Sequence, residues 1–165
     1  MTDFQRYLAP PPQTPKSGMD GELLFAQVGC AKCHVSQFTT SSASTLEDSI
    51  RSKTIRPYCD FLLHDMGLLA DGISDGNAGE AEMRTPTLWG VRRRDPMLHD
   101  GSAAGGSFTA RVTAAIAAHG PFGEGAGSAA AFAALSSVEK TKLVKFLDSL
   151  GRAEFDFDGD NIVDI

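Results

Sequence analysis

The stretch Gly29-Cys30-Ala31-Lys32-Cys33-His34 decides how this 165-residue chain folds. Two cysteines separated by two residues and followed directly by a histidine form the attachment motif of a c-type haem. Each thiol adds across one haem vinyl group to form a thioether, and the histidine that follows is placed to bind the iron. The motif occurs once in the chain. Cys30, Cys33 and His34 therefore predict one covalent haem, with His34 as the proximal iron ligand.

Two other uses of a Cys-x-x-Cys pair fit the sequence less well. A structural zinc site requires a second pair of ligands, whereas Cys59 stands alone and His64, His99 and His119 are scattered. A redox-active dithiol requires a surrounding strand–helix–strand pattern, whereas residues 21–29 are typical of a short helix that ends at a glycine. Cys59 has no basic or helix-start environment, so we expect a small buried residue there rather than a nucleophile.

Composition narrows the class of protein further. The length suits one domain with a core around a cofactor. A net charge of −6 disfavours nucleic acid as a partner and suits contact with a basic or neutral protein. No apolar stretch approaches the roughly 20 residues of a membrane helix. Residues 1–7 lack the apolar core of a signal peptide, so we expect a mature or excised chain that works in the periplasm or another extracytoplasmic compartment.

The chain divides into three parts by composition. Residues 1–18 form a proline-rich extension that suits a stiff linker, residues 19–151 form the haem domain, and residues 152–165 form an acidic tail. Helical patterns occur at about 19–29, 58–66 and 108–119, and a capping box at Ser136 and Glu139 starts a last helix that stops before Gly151. We see no convincing alternating strand pattern.

These patterns predict an all-α, cytochrome c-like domain with long loops around one covalent haem. The first and last helices are expected to pack together through a set of apolar side chains, Phe25, Val28, Leu143, Phe146 and Leu147. Neither helix is long enough to be stable alone. Loss of the haem should therefore weaken the fold as well as the function.

Four separated blocks of sequence resemble one protein family. They are Pro57-Tyr58-Cys59-Asp60-Phe61-Leu62-Leu63-His64-Asp65-Met66-Gly67, Arg84-Thr85-Pro86-Thr87-Leu88-Trp89-Gly90, Leu98-His99-Asp100-Gly101-Ser102-Ala103 and Ala115-Ile116-Ala117-Ala118-His119-Gly120. In this order they resemble the di-haem thiol-oxidoreductase-like proteins, which are related to the bacterial di-haem cytochrome c peroxidases. Members of the family carry two haem motifs and this chain has one. The resemblance is to the C-terminal haem domain, which in the related peroxidases holds the electron-transfer haem.

The sixth iron ligand has two candidates. Met66 offers a thioether, the usual distal ligand of small electron-carrying cytochromes, and would raise the reduction potential. His119 follows an Ala-Ile segment at a position that resembles the distal-ligand site of the related peroxidases, and would give bis-imidazole iron of lower potential. We favour His119 and keep Met66 as the alternative. His64 and His99 are expected to form hydrogen bonds near the haem or to fix turns.

Other side chains are candidates for contact with the haem periphery. One of Arg92, Arg93 and Arg94 is expected to pair with a haem propionate, since arginine binds carboxylates bidentately. A solvated basic turn is the alternative. Trp89 is expected to pack on the haem face or edge, or else to belong to the plain core.

The acidic tail is a separate candidate. Asp156, Asp158 and Asp160 place carboxylates at alternate positions, as at the start of a calcium loop. The bidentate glutamate that closes such a loop is missing. A calcium site and a frayed acidic tail are both compatible with this pattern.

The expected function is electron transfer by a monohaem c-type cytochrome domain, with a redox protein or an upstream haem domain as its partner. A peroxidase-like or thiol-oxidising haem enzyme and a haem-based ligand sensor are the alternatives. Both alternatives need an open or easily opened sixth position on the iron. An electron carrier does not need an open position on the iron, because the axial ligands and the burial of the haem set its reduction potential.

Overall fold

The computed structural model describes residues 2–8, 10–11 and 19–151. Its helices are α1 (Thr2–Arg6), α2 (Asp20–Gln27), α3 (Phe108–Ala117), α4 (Ala126–Ala134) and α5 (Ser137–Ser149). Three short 3₁₀ turns cover Cys30–Lys32, Gly67–Leu69 and Val91–Arg93. The strands are β1 (Phe38–Thr39), β2 (Thr54–Ile55), β3 (Leu63–Asp65) and β4 (Glu82–Arg84).

The expectation of an all-α domain is wrong, because the described part of the chain combines helices with two small sheets. Strand β1 pairs antiparallel with β2, and β3 pairs antiparallel with β4. Each strand is only two or three residues long, which is too short for an alternating pattern to emerge. The paired strands are also far apart in sequence, so no tight hairpin turn marks them. The domain is a mixed α/β fold.

The predicted helix at 58–66 is likewise absent, and this segment is extended. Tyr58 and Phe61 have positive φ angles of 47° and 63°, which a right-handed helix does not accommodate. Between them the Asp60 carboxylate accepts the N–H of Leu62 at 3.0 Å, a local turn that competes with helical hydrogen bonding. The following residues then pair with β4, with His64 opposite Met83.

The predicted pairing of the helix before the haem motif with the last helix of the chain is confirmed. Helix α2 lies against α5, and the Phe25 ring is 5.4 Å from the Phe146 ring. The five apolar residues expected at this contact all belong to one buried cluster. Gly21 makes the close approach possible, because a Cβ there would lie 2.2 Å from the carbonyl oxygen of Lys142. Helix α2, which ends just before the Cys-x-x-Cys-His motif, is thereby anchored against α5.

The helices at 108–119 and at the C-terminal end follow the sequence closely. Ser107 caps α3 by accepting the N–H of Ala110, and Ser136 and Glu139 form the expected capping box of α5. Helix α4 was not expected, since glycines around 120–127 suggest a loop. Its alanine-rich sequence favours a helix, and it buries Ala129 and Phe132 on one side.

Two further points concern the ends of the chain and the membrane. No helix among the described residues is long and apolar enough to cross a membrane.

The ends of the chain are described only in part. Residues 1, 9 and 12–18 of the proline-rich extension and the whole acidic tail lie outside the described residues. Asp156, Asp158 and Asp160 are among them, so the calcium site remains a prediction.

Candidate functional site

A cavity of about 900 Å³ lies at the centre of the domain. It is bounded by the Cys-x-x-Cys-His turn, the β3–β4 ribbon, the segment around Met97 and helices α3 to α5. The volume is at the upper end of the range typical of ligand sites, about 300–1,000 Å³. The lining is predominantly apolar. All four histidines of the chain reach it, although they are far apart in sequence, and they are His34, His64, His99 and His119.

The Cys-x-x-Cys-His segment forms a tight turn at the cavity wall. Helix α2 ends at Gln27, and two residues later Gly29 has a φ of +90°, which glycine adopts readily. A Cβ on Gly29 would lie 2.8 Å from the Ser128 hydroxyl oxygen. The His34 N–H then donates to the Cys30 carbonyl at 3.0 Å. This turn places Cys30, Cys33 and His34 together in the cavity lining.

Both thiols of the motif are poorly suited to thiolate chemistry. Burial raises the pKa of Cys30 to about 11. The pKa of Cys33 is also raised, first by burial and then by the carboxylates of Asp60 and Glu124. Thiolates are the reactive form of a redox dithiol. The environment of the pair therefore disfavours that alternative use.

His34 is held in the tautomer that a metal ligand requires. Its Nδ1 lies 2.9 Å from the Tyr58 carbonyl oxygen, and because a carbonyl only accepts, Nδ1 carries the proton and donates. The Nε2 lone pair is thereby left free, an arrangement typical of histidine ligands. Burial lowers the pKa of His34 to about 4, with smaller contributions from His119 and His64 and against the opposing effect of the hydrogen bond to Tyr58. The ring is neutral at physiological pH.

Tyr58 connects this hydrogen bond to the protein core. Its side chain is buried, and its hydroxyl donates to Glu22 at 3.0 Å. Its ring packs edge-on against Phe25 and Phe146, at centroid distances of 6.1 and 5.4 Å. The positive φ of Tyr58 is thus held by contacts on both sides. The carbonyl that orients His34 is fixed by helices α2 and α5.

Both candidates for the sixth ligand line the cavity. His119 follows the end of α3 and donates from Nδ1 to the Ala115 carbonyl at 2.7 Å, which leaves its Nε2 free in the same way as in His34. Met66 directly precedes the 3₁₀ turn Gly67–Leu69. The backbone of the segment Gly123–Glu124 packs against Met66.

A cluster of charged side chains lies beside Cys33. The His64 ring donates to or pairs with Glu124 through Nδ1 and with Asp60 through Nε2, both at 2.8 Å. Glu124 raises the pKa of His64 most strongly, and Asp60 adds to this effect against the opposing effect of burial. Donor atoms of Cys33, Asp60 and His64 lie within 4.8 Å of one another. Both nitrogens of His64 are already engaged with carboxylates, so this group is an ion-pair cluster rather than a ready metal site.

Among the three consecutive arginines, Arg94 is the one that lines the cavity. The 3₁₀ turn Val91–Arg93 has three residues per turn. Arg94 therefore follows the buried Val91 on the same side, while Arg92 and Arg93 are not in the lining. The Arg94 guanidinium donates to the Thr87 carbonyl at 2.7 Å, and burial lowers its pKa. In the sequence, the available indication that Arg94 faces the cavity was its position three residues after the apolar Val91.

Trp89 lies away from the cavity. It is half-buried and is not in the lining, whereas its neighbour Leu88 is. The backbone of Trp89 and Gly90 packs against Gly151, and the Gly90 N–H donates to the Leu150 carbonyl at 2.9 Å. This segment therefore closes the end of helix α5.

Cys59 is fully buried, as expected. Its thiol donates to the Thr85 carbonyl at 3.0 Å and accepts the N–H of Phe61 at 3.1 Å. Burial raises its pKa. These contacts join the extended segment before β3 to the segment after β4.

The residues in this cavity fit a haem. The cavity is large and apolar, as a macrocycle requires. It presents two thiols and the unprotonated Nε2 of a neutral histidine on one wall, and also the imidazole of His119, whose Nδ1 is engaged with the Ala115 carbonyl. Arg94 adds a half-buried cation suited to a propionate. This donor set matches the one that the sequence motif implies.

Comparison with known proteins agrees with this arrangement. No curated protein and no solved structure matches the chain. One family model matches residues 12–150, and its description is "Di-haem oxidoreductase, putative peroxidase". The match covers most of the chain and all of the residues that line the cavity. This family is associated with haem binding and a redox function. Because its model matches residues 12–150, we conclude that this chain belongs to the di-haem oxidoreductase family.

Proposed function

We propose that this chain is an electron-transfer domain that holds one covalent c-type haem in its central cavity. The observation that carries the proposal is the hydrogen bond from His34 Nδ1 to the Tyr58 carbonyl, made directly beside the two thiols of the Cys-x-x-Cys pair. It leaves a neutral imidazole with a free Nε2 in an apolar cavity. The bound group would supply an iron that alternates between the ferric and ferrous states.

Cys30 and Cys33 would hold the group covalently. Each thiol S–H adds across one vinyl C=C bond, so that a C–S bond forms, the hydrogen moves to the other vinyl carbon and no oxidant is consumed. His34 would bind the iron through Nε2, and Tyr58 and Glu22 would keep its ring oriented. Because c-type haem is attached outside the bacterial cytoplasm, we also propose an extracytoplasmic location.

His119 is the favoured sixth ligand in this proposal. Its Nδ1 is anchored to the Ala115 carbonyl, so the ring is oriented before any ligand binds and its Nε2 is the atom available. Met66 remains the alternative. Arg94 would neutralise a propionate, since it is half-buried in the lining and its described hydrogen bond is to a neutral carbonyl.

The attachment can be tested on protein made in a host with haem-attachment machinery. We expect the intact mass to include one haem that survives acid and denaturant. The double variant Cys30→Ala/Cys33→Ala should lose the haem under the same treatment. The variant Cys59→Ser, which keeps the motif, is the matched control and should retain it. Haem that is released from the unmodified chain by acid would refute covalent attachment.

The sixth ligand can be tested by spectroscopy on His119→Leu and Met66→Leu. If His119 binds the iron, the ferric protein lacks the weak red absorption band of methionine ligation. The variant His119→Leu, and not Met66→Leu, then leaves the sixth position of the iron vacant. If Met66 binds instead, that band is present and disappears only in Met66→Leu. A ferric spectrum that is unchanged in both variants would contradict both assignments.

A peroxidase-like activity is the second candidate, because the family description includes peroxidases. It would require a vacant or labile sixth position. Carbon monoxide binding to the reduced protein distinguishes the two functions. Slow or negligible binding at neutral pH is expected of the electron carrier, whereas rapid binding in the unmodified chain would favour the enzyme or a ligand sensor.

A further inference from the structure

We propose that the outer surface of the β3–β4 ribbon and its connecting loop is the docking site for a basic electron-carrier protein. The proposal rests on the electron-transfer function proposed above. We call this surface the ribbon face. Its apolar members are Leu63, Leu68, Ile73 and Phe122, and its exposed carboxylates are Asp65, Asp71, Asp75 and Glu80.

The apolar members are unusually exposed for large hydrophobic side chains. Leu68 is 72% exposed, Ile73 is 66% exposed and Phe122 is 61% exposed. Phe122 comes from a distant part of the chain but packs beside the ribbon loop, since a Cβ on Gly67 would lie 2.9 Å from the Phe122 Cβ. Scattered exposed leucines are ordinary, whereas a concentration of them on one segment indicates an interaction surface.

The ribbon face is predominantly negative. Residues 57–83 contain six acidic residues and no lysine or arginine. Arg84, which is exposed and pairs with Leu63 at the end of β4, is the one lysine or arginine of the two strands. Asp65, Asp71 and Asp75 are exposed, so their charge faces solvent. The one histidine of the segment, His64, lies between two carboxylates beside the cavity. A complementary partner must therefore present lysines or arginines around an apolar centre.

The ribbon face lies one layer away from the cavity. Side chains alternate along a strand, and in β3 His64 lines the cavity while Leu63 and Asp65 are exposed. Met83, which pairs with His64, lines the cavity as well. A ribbon with its side chains is about 10 Å thick. Electron tunnelling falls steeply with distance, so a partner on this face would be close to a haem in the cavity.

Other occupants fit the ribbon face less well than a basic protein. A second copy of this chain would bring two surfaces of the same negative sign together, which is unfavourable. An anionic membrane surface would be repelled for the same reason. An acidic rim around an apolar centre suits a short-lived complex, because charge speeds association while a small contact allows release.

The test measures binding of the haem-loaded protein to a lysine-rich mitochondrial cytochrome c, used as a probe of the required chemistry. Calorimetric titration is carried out at ionic strengths of about 0.01 M and about 0.15 M, where the screening length is about 30 Å and about 8 Å. We expect binding at low ionic strength that weakens steeply with salt. Sedimentation of the protein alone reports any self-association.

Two charge-matched variants locate the binding surface. Asp75→Lys/Glu80→Lys reverses two charges on the ribbon face, at side chains with no described hydrogen bond. Asp20→Lys/Asp48→Lys makes the same change in net charge elsewhere, on exposed side chains whose surface ion pairs are worth little. We expect the first to weaken binding at low ionic strength by about tenfold or more and the second by much less.

A third variant tests the apolar centre. Leu68→Ser should weaken binding without changing its dependence on salt, because it removes apolar contact and no charge. Equal effects of the two charge reversals would overturn the proposal, since bulk charge would then explain the binding. Absence of binding, or self-association that Leu68→Ser abolishes, would also overturn it. A chain that never acquires haem would instead refute the proposed function, which the mass measurement detects separately.

Discussion

Replacing Gly21 by alanine should destabilise the protein, although alanine is the better helix former. The Cβ of the new side chain would lie 2.2 Å from the Lys142 carbonyl oxygen and 2.6 Å from the Phe146 Cβ. Carbon atoms pack best at about 3.5–4.0 Å, so α2 and α5 would have to separate by about 1 Å. The obstacle includes the backbone of α5, which cannot rotate away as a side chain can.

The two opposing effects can be compared in magnitude. Alanine in place of glycine within a helix contributes about 0.5–1 kcal/mol. Overpacking a close contact costs about 1–3 kcal/mol, and contact with a rigid backbone belongs at the upper end. We therefore expect Gly21→Ala to lower the free energy of unfolding by about 2 kcal/mol.

Gly127→Ala is the matched control. Gly127 is the second residue of α4, as Gly21 is of α2, and a Cβ there would meet nothing within 4 Å. In protein prepared without haem this variant should therefore gain about 0.5–1 kcal/mol. The comparison is made without haem because Gly127 lines the cavity in which a haem would lie. Denaturant titration of these proteins, followed by far-ultraviolet circular dichroism, measures both free energies of unfolding. Gly21→Ala that is as stable as the unmodified protein would refute the close helix contact.

Three further predictions concern the charged cluster, a helix cap and the buried thiol. Glu124 raises the pKa of His64, so the stability that the charged ring contributes is complete below about pH 6.5 and is lost as pH rises through the raised pKa. The stability difference between the unmodified protein and His64→Gln should accordingly shrink as pH rises above about 6.5 in denaturant titrations, and a constant difference would contradict the ion pairing. Ser136→Ala removes the cap of α5 and should cost about 1 kcal/mol in the same assay, whereas Ser137→Ala, one residue later, should be nearly neutral. Cys59→Val leaves two backbone groups without their sulfur partner and should cost about 1–3 kcal/mol, whereas Cys59→Ser keeps both hydrogen bonds and should cost less; equal losses would show that only packing matters.

The helices could be predicted where the evidence for them is local. The capping box at Ser136 and Glu139 involves residues three apart, and α3 begins at a similar serine cap. The two ribbons could not be predicted in this way. Strand β3 pairs with β4 across an intervening loop of 16 residues, and the positive φ angles at Tyr58 and Phe61 are imposed by neighbours that sequence reasoning does not reveal.

The same difference between local and long-range evidence applies to the candidate site. Cys30, Cys33 and His34 could be predicted as haem-binding residues because their chemistry depends only on a spacing within five residues. Arg94 was one of three equivalent candidates until the 3₁₀ turn placed it on the side of Val91. The hydrogen bond that orients His34 comes from residue 58, and no local pattern indicates it.

The sequence by itself indicated haem binding and the family, because both depend on short blocks of residues in a given order. The tertiary structure alone decided that the four scattered histidines line one cavity and that the segment after Pro57 is extended. It also decided that an acidic, apolar ribbon covers that cavity on one side. The physical reason is that these features depend on contacts between residues more than 15 positions apart, whose free energy comes from packing rather than from local preference.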